Sequence, residues 1–430
     1  MKKHLHPILR ALGSRNYRIF FAAQAVSLTG LWMQRVAMGW LVYRLTDSPR
    51  ALGVIDFISS IPTVLLIPLT SYLLPRMSLR SVLLVTQSLL MACAATIGLL
   101  ALTDYVTYAW LLSVAFFMSL VNAFDMPVRQ SIVPYLVEDK EDVSNAVALN
   151  SSLFNVARLI GPTVAGVTIH RIGEGLCFML NSASYSAMLF AVRTMRFPHS
   201  TVAEPLPRQG SVFRNMFVGF RLLKAFPPFA HMLMLVTVSG IFGVPYLSLM
   251  PAMARTVLEG TSKTMGFLLM SVGIGALAGS LIMAARKSPV GLDRCAIWNT
   301  VAFGTSVAIF SLSRSTWMAM ILLIPAGFSM VTTLISCNTF LQTLVDDENR
   351  SPLMSLYIAA IVGISSVGSL LSGQVAEFIG TSGALFTGGL ACVAASLYHA
   401  RKLLSYRKLI DEAFCERGYR EATPDAGDGV

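Results

Sequence analysis

The chain has 430 residues, 55% of them hydrophobic and only 13% charged, with a formal net charge of +11. Ordinary soluble domains carry roughly 25% charged residues, so much of this surface must face lipid and not water. The positive balance would suit nucleic acid, but the basic residues flank apolar runs instead of forming one patch, which excludes that class of partner.

The first segment, MKKHLHPILRALGSRNYR, is basic and precedes a long apolar run. A secretory signal peptide is the competing reading. The run is too long for one, has no small-residue cleavage site and is succeeded by many more spans, so it reads as a retained first helix. Apolar runs recur about twelve times, each of about 20 residues and long enough to cross a hydrocarbon core of about 30 Å as a helix. They lie near 17–44, 51–74, 81–102, 106–126, 145–169, 174–194, 229–252, 264–285, 294–312, 316–338, 353–376 and 382–400.

If every run crosses, the clusters around Lys2 and Arg18, Arg76 and Arg80, Arg193 to Lys224, Arg286 to Arg294, and Arg401 to Lys408 all fall on one side. The opposite loops hold only Arg44, Arg50, Arg171, Arg255, Lys263 and Arg314. The basic side is cytoplasmic by the positive-inside rule, which puts both termini inside.

The longest polar interruption, 196–228, ends in SVFRNMFVGFRLLKAF. There Phe213, Met216, Phe217 and Phe220 recur at helical spacing while Arg214, Arg221 and Lys224 take other faces, the pattern of a helix lying at a membrane interface. The expected organisation is a six-helix lobe over 1–195, a cytoplasmic linker over 196–228, a second six-helix lobe over 229–400 and a cytoplasmic tail over 401–430. The tail opens with a surface-lying helix, RKLLSYRKLIDEAF. Six cysteines occur singly, so neither a disulfide frame nor a zinc site is expected.

The halves echo each other. LVEDKEDVSNAVALNSSLFNVARLIGPTVAGVTIHRIG aligns with LVDDENRSPLMSLYIAAIVGISSVGSLLSGQVAEFIG, placing Gly161 over Gly368, Gly166 over Gly373 and Gly173 over Gly380. Parallel six-span repeats of this kind describe a two-lobed secondary transporter with its site between the lobes.

The strings WMQRVAMGWLVYRLTDSPRALG, FDMPVRQSIVPYLV and NAVALNSSLFNVARLIGPTVAG resemble the major facilitator superfamily, in the proton-driven exporter branch that includes the enterobactin exporter and macrolide efflux proteins. The resemblance runs over essentially the whole chain and is strongest from Asn16 to Phe197. It implies an all-α membrane protein of twelve helices in two lobes, a multi-pass protein of a bacterial inner membrane acting as a monomer on a small molecule.

ARLIGPTVAG resembles the family's antiporter motif in the fifth helix, carried by Gly161, Pro162 and Gly166. Proline bends the helix and small residues admit a neighbour, expected to be the eighth helix through Gly275 and Gly279. Together these five residues form an expected interlobe hinge. The alternative is ordinary tight packing.

Arg158, near the middle of its span, has two readings. It contacts an anionic group of the substrate, or it is a structural arginine bonded to carbonyls or to Asn150, Asn155 or Asn122. Gln24, Asn122, Asn150, Asn155 and Asn338 join it as candidate substrate contacts, because polar groups avoid lipid. Trp32, Trp40, Tyr246 and Trp298 either stack on an aromatic substrate or pack. Arg35 and Asp56 are each placed roughly 8–13 Å below the outer surface at about 1.5 Å per residue, a depth at which adjacent antiparallel helices can bring them together. Asp56 is the candidate proton carrier if Arg35 leaves it during the cycle; a static ion pair is the other reading.

The loop SYLLPRMSLRS keeps Arg76 and Arg80 but has Pro75 where the superfamily has an aspartate. Asp125 and Arg129 in FDMPVRQ are therefore expected to pair with these arginines in a cytoplasmic gate, unless the loop is simply solvated. No nucleotide-binding loop, metal cluster or catalytic arrangement is visible, so the driving force is expected to be a proton gradient without a bound cofactor. An anionic siderophore or a hydrophobic drug, moved outward, is the expected cargo. Siderophore import, lysolipid flipping, or a non-transporting sensor or assembly role are the rivals.

Overall fold

The computed structural model describes residues 7–195 and 212–419, which form helices and turns with no β-strand. The first lobe comprises α1 (Arg15–Thr46), α2 (Pro49–Leu73), α3 (Leu79–Leu102), α4 (Tyr108–Ser131), α5 (Val143–Ile172) and α6 (Glu174–Thr194). After α7 (Val212–Ala225) the second comprises α8 (Pro227–Val257), α9 (Ser262–Ala285), α10 (Leu292–Leu312), α11 (Thr316–Leu344), α12 (347–379) and α13 (381–405), followed by α14 (Arg407–Glu416). Ten stretches of the described residues are long and apolar enough to cross a membrane, and the longest, Asp347–Ser405, is α12 and α13 together. Gly380 divides that stretch into these two helices, and α1, with 32 residues, is also long enough to cross.

Local chemistry sets the ends of these helices. Ser48 accepts from Ala51 N at 3.3 Å, with Pro49 at the first helical position of α2. Thr107 accepts from Trp110 N at 3.4 Å, and Thr261 with Thr264 makes a capping box on α9. Each supplies an acceptor to an N–H that the helix itself leaves orphaned. At the opposite ends a single glycine reverses the chain: Gly173, φ 91° and ψ 170°, between α5 and α6, and Gly380, φ 78° and ψ 160°, between α12 and α13. That backbone region is open essentially to glycine alone, so these aligned glycines are the same turn built twice.

Within the first lobe α3 and α1 pack on α6, α1 on α5, and α2 on α4; within the second, α11 packs on α9 and α10, and α10 on α13. The lobes meet along α5 with α9 and along α2 with α12. One buried cluster spans both, joining Leu41, Leu52 and Phe178 to Leu258, Met265 and Phe310 at the end away from the termini. Towards the other end each lobe keeps its own core, around Phe20, Leu83 and Val128 in the first and Phe229, Phe340 and Phe414 in the second. The lobes therefore share one core at the shut end and keep separate cores at the other, the linker end.

The helix α7 lies on the start of α12, where Gly219 approaches Pro352 and Leu356, with Phe217 and Phe220 exposed. The side chains of Phe213 and Met216, the linker from 196 to 211 and the tail from 420 onward lie outside the described residues. The helix α14 does not lie free on the surface: Ile410 and Phe414 bury into the second lobe's core.

Candidate functional site

A cavity of about 480 Å³ lies between the lobes, walled by α1, α2 and α5 on one side and α8, α9, α11 and α12 on the other. That volume falls in the range of small-molecule sites, about 300–1,000 Å³. Its charged residues, Arg35, Asp56 and Arg158, all come from the first lobe.

Helical spacing builds the charged wall. On α1 Arg35 follows Trp32 by one turn, and its Cζ stands 5.1 Å from the Trp32 ring centroid. On α5 Arg158 follows Phe154 by one turn and reaches the same ring, with Cζ 5.7 Å from the centroid. The Trp32 and Phe154 rings meet edge to face at 5.7 Å. An aromatic face holds a guanidinium by about 0.5–2 kcal/mol without cancelling its charge, whereas a carboxylate partner would cancel it. Neither arginine has a protein hydrogen bond or ion pair among the described residues, and Arg158 makes none to Asn122, Asn150 or Asn155. Arg35 and Asp56 are not paired here: both line the cavity, but no contact within 4.0 Å joins them.

Hydroxyls dominate the polar groups of the other wall, with Ser239, Ser248, Thr333, Ser365, Ser366 and Ser369. The helices there are interrupted by π turns, Ser239–Gly243 in α8 and Ala359–Ile364 in α12. Such turns concentrate at functional sites because they re-aim the side chains that follow.

Beyond the cavity the shut end is sealed by two symmetric close approaches. A Cβ on Gly166 would fall 2.9 Å from Gly266 Cα and 2.7 Å from Ser262 O, and one on Gly373 would fall 3.1 Å from Gly53 Cα and 2.8 Å from Pro49 O. Polar contacts add to the seal. Glu377 Oε2 accepts from Ser48 Oγ at 2.8 Å and Arg50 N at 3.3 Å at the start of α2, and Arg255 Nη1 stands 3.0 Å from Asp47 Oδ1 as an ion pair. With side chains 38% and 69% exposed, that ion pair contributes about 0–1 kcal/mol, little enough to break in every cycle.

The family model described as transmembrane secretion effector matches residues 8–417. The chain belongs to that family, within the major facilitator superfamily. It is 22% identical over 401 residues to the staphyloferrin A transporter of Staphylococcus aureus (strain NCTC 8325 / PS 47), covering 91% of this chain and 97% of the relative. Similarity extends at 18% identity to the uncharacterized MFS-type transporter YfmI of Bacillus subtilis (strain 168), over 92% and 98% of the two chains. Among solved structures, the nucleoside transporter NupG superposes with a TM-score of 0.72 at 12% identity, over 90% of this chain and 98% of that one. A bacterial homolog of the human lysosomal transporter Spinster, in an inward-facing and occupied conformation, gives 0.69 at 14% identity, over 95% and 100%. At such identities the structural likeness carries the fold alone.

Several expected sites of this major facilitator protein are placed differently by its packing. Asp125 and Arg129 do not meet Arg76 and Arg80. They pair with each other at 2.6 Å, Asp125 accepting from Thr86 Oγ1 at 2.7 Å and Gln87 Nε2 at 2.6 Å, and Arg129 donating to Gln24 Oε1 at 2.9 Å. Their four-residue spacing puts both on the face of α4 turned into the lobe, where desolvation forces each charge to find a partner. Arg76 instead lies over the Tyr72 ring at 3.9 Å, and Arg80 donates to Arg193 O at 3.2 Å. The expected cytoplasmic gate is thus a buried network inside one lobe plus two separate arginines.

The same network removes Gln24 from the cavity, 4% exposed and committed to Arg129. Asn338 accepts from Gln342, and Asn122, Asn150 and Asn155 lie off the cavity wall, so of the six proposed substrate contacts only Arg158 lines it among the described residues. Gln34 and Asn181 bond to each other within the first lobe.

The hinge expectation chose the wrong faces. Gly161 is pressed against Trp32 and Thr29 of α1, and Gly275 and Gly279 against Ile324 and Phe328 of α11. At about 100° per residue, Gly275 points about 200° away from Gly273, which meets Leu159 of α5. Gly266, about two turns earlier than Gly273, shares its face, and only Gly166 with the carbonyl of Pro162 meets it from the motif. The hydroxyl wall and the His231–His399 contact, Nδ1 to Nδ1 at 2.9 Å, were also missed. The recurring serines of GISSVGS offered a signal for the first, while nothing local in the sequence joins residues so far apart for the second.

Proposed function

We propose that this protein exports a polycarboxylate metabolite of the siderophore kind across the bacterial inner membrane in exchange for protons, as a monomer working by alternating access. The observation that carries this reading is the pair of guanidiniums, Arg35 and Arg158, held on Trp32 in the interlobe cavity with their hydrogen-bond donors uncommitted. A guanidinium fork matches a carboxylate bidentately, and two forks against the single Asp56 leave the cavity attractive to anions.

The basic flanks support a cytoplasmic linker end, and with that orientation this conformation admits cargo from the inside. An anion leaving a cell that is negative inside gains about 2.3 kcal/mol per charge per 100 mV, which favours export. The family's description as a secretion effector supports the same direction, and the name of the staphyloferrin A transporter supports the cargo class. Asp56, lining the cavity without an ion-pair partner within 4.0 Å among the described residues, is the group that carries the proton.

Inside-out vesicles with an acid interior, a pH-sensitive dye and a citrate-based siderophore added outside test this reading. Cargo entry should release protons into the medium. Asp56→Asn is expected to abolish that release while retaining siderophore binding; release at the wild-type rate removes Asp56 from the coupling. Arg158→Lys should weaken binding about tenfold or more, since an ammonium lacks the fork, and unchanged affinity would remove the clamp. Proton release evoked by a lipophilic cation and not by the siderophore would overturn the anion reading.

A further inference from the structure

The chemistry of the second-lobe wall follows from where its hydroxyl protons go. Ser239, Ser365 and Ser366 each place Oγ against the carbonyl four residues back, Leu235 O at 2.8 Å, Ile361 O, and Val362 O at 2.7 Å. Thr300 donates to Ala296 O at 2.8 Å, so in its 3.3 Å contact with Thr333 the proton comes from Thr333. A hydroxyl has one proton and two acceptor lone pairs. With the protons engaged by the protein, these four oxygens have only acceptor capacity left for the cavity they line.

Burial makes that capacity count. Ser239 is 5% exposed, Ser366 3% and Thr333 2%, so anything seated there meets them without intervening bulk water. The π turns account for the placement, since Ser239 opens the first and Ser365 and Ser366 directly follow the second. On the facing wall Arg35 and Arg158 are the converse, because a guanidinium is a donor with no acceptor, while Asp56 adds an anionic acceptor there. The cavity therefore sets the cationic donors Arg35 and Arg158 of the first lobe, with Asp56 on their wall, opposite these four neutral acceptors of the second. The acceptor wall also holds the Ser248–Ser369 hydroxyl pair, which keeps one uncommitted proton.

We propose that Ser239, Thr333, Ser365 and Ser366 form a subsite for hydrogen-bond donors of the cargo, so that the transported molecule is a polycarboxylate that also carries hydroxyl or amide N–H groups. The inference rests on the polycarboxylate reading of the cavity and adds an orientation to it: carboxylates against Arg35 and Arg158, donors against the hydroxyls. A polycarboxylate without donors would press its own oxygens against four acceptors. A lipophilic cation would satisfy the acceptors and be repelled by the arginines. Only a molecule with both ends bridges the two lobes, and a ligand that bridges them favours the closure that alternating access requires.

The test uses the full-length protein in detergent and calorimetric titration with two probes, a citrate-based siderophore and the same compound with its hydroxyl and amide N–H groups methylated. Wild type should bind the parent at least about tenfold more tightly than the methylated probe, and Ser365→Ala/Ser366→Ala should lose about that factor for the parent with the methylated probe unaffected. Ser239→Ala provides the same comparison at a second position should the double variant fold poorly. Arg158→Ala should weaken both probes. Equal weakening of both probes by the serine substitutions overturns the subsite and leaves the polycarboxylate reading standing. So does parent binding that is lost in choline and, in sodium, is the same for wild type and the serine variants, because the wall would then hold a cation. Failure of wild type to bind either probe overturns the polycarboxylate reading itself.

Discussion

Replacing Asp125 by alanine is expected to destabilise the folded protein by about 3–5 kcal/mol, the range for stranding one member of a buried ion pair. Arg129 would keep its charge in a site where its side chain is 12% exposed, with Gln24 and Ser27 as the remaining acceptors. The measurement is the unfolding midpoint of purified protein in detergent, which should fall well below that of the wild type. Asp125→Leu/Arg129→Met should recover most of the loss, because removing both charges removes the desolvation cost along with the attraction. A single variant that melts with the wild type but no longer transports would mean that the network belongs to the transport cycle and not to the fold.

Gly166→Leu should leave the fold intact and stop transport, lowering flux at least about tenfold. The atoms a side chain would meet, Gly266 Cα and Ser262 O, are backbone, so they cannot swing aside as the end of a flexible side chain would. The shut end would then be unable to close, and the population would shift towards a form open there. A cysteine introduced as Leu247→Cys in the cavity wall, with Cys295 and Cys415 replaced by serine, reports the shift through an impermeant thiol reagent added outside. Labelling should rise in the Gly166→Leu background. Unchanged labelling together with full flux would remove the α5–α9 contact from the gate.

The contrast between these two expectations follows from packing. Both residues lie in strings that resemble a superfamily of transporters, yet one belongs to a network private to a lobe and the other to a seam between lobes. Arg158 was legible because a charge in mid-span is costly and therefore conspicuous. Gln24 was legible as polar and misassigned, because a buried glutamine serves a neighbouring ion as readily as a ligand. Gly275 and Gly279 were conspicuous as a close pair of small residues, but small residues occur on two faces of α9 and only the neighbours decide which face meets the other lobe.

The environment of the chain, its succession of long apolar helices and the repetition of one pattern in two halves were already legible in the sequence, since each depends on runs of residues and on local turn chemistry. Hydrophobic length selects a spanning helix, and the recurrence of Gly173 at Gly380 marks the same tight reversal in each half. That Arg35 and Arg158 share one tryptophan, that Asp125 is satisfied inside its own lobe, and that hydroxyls with their protons engaged face the guanidiniums across the cavity emerge only once the helices are packed. These depend on the rotation of each helix about its axis, which the fit of many side chains at once sets and no single stretch of residues encodes.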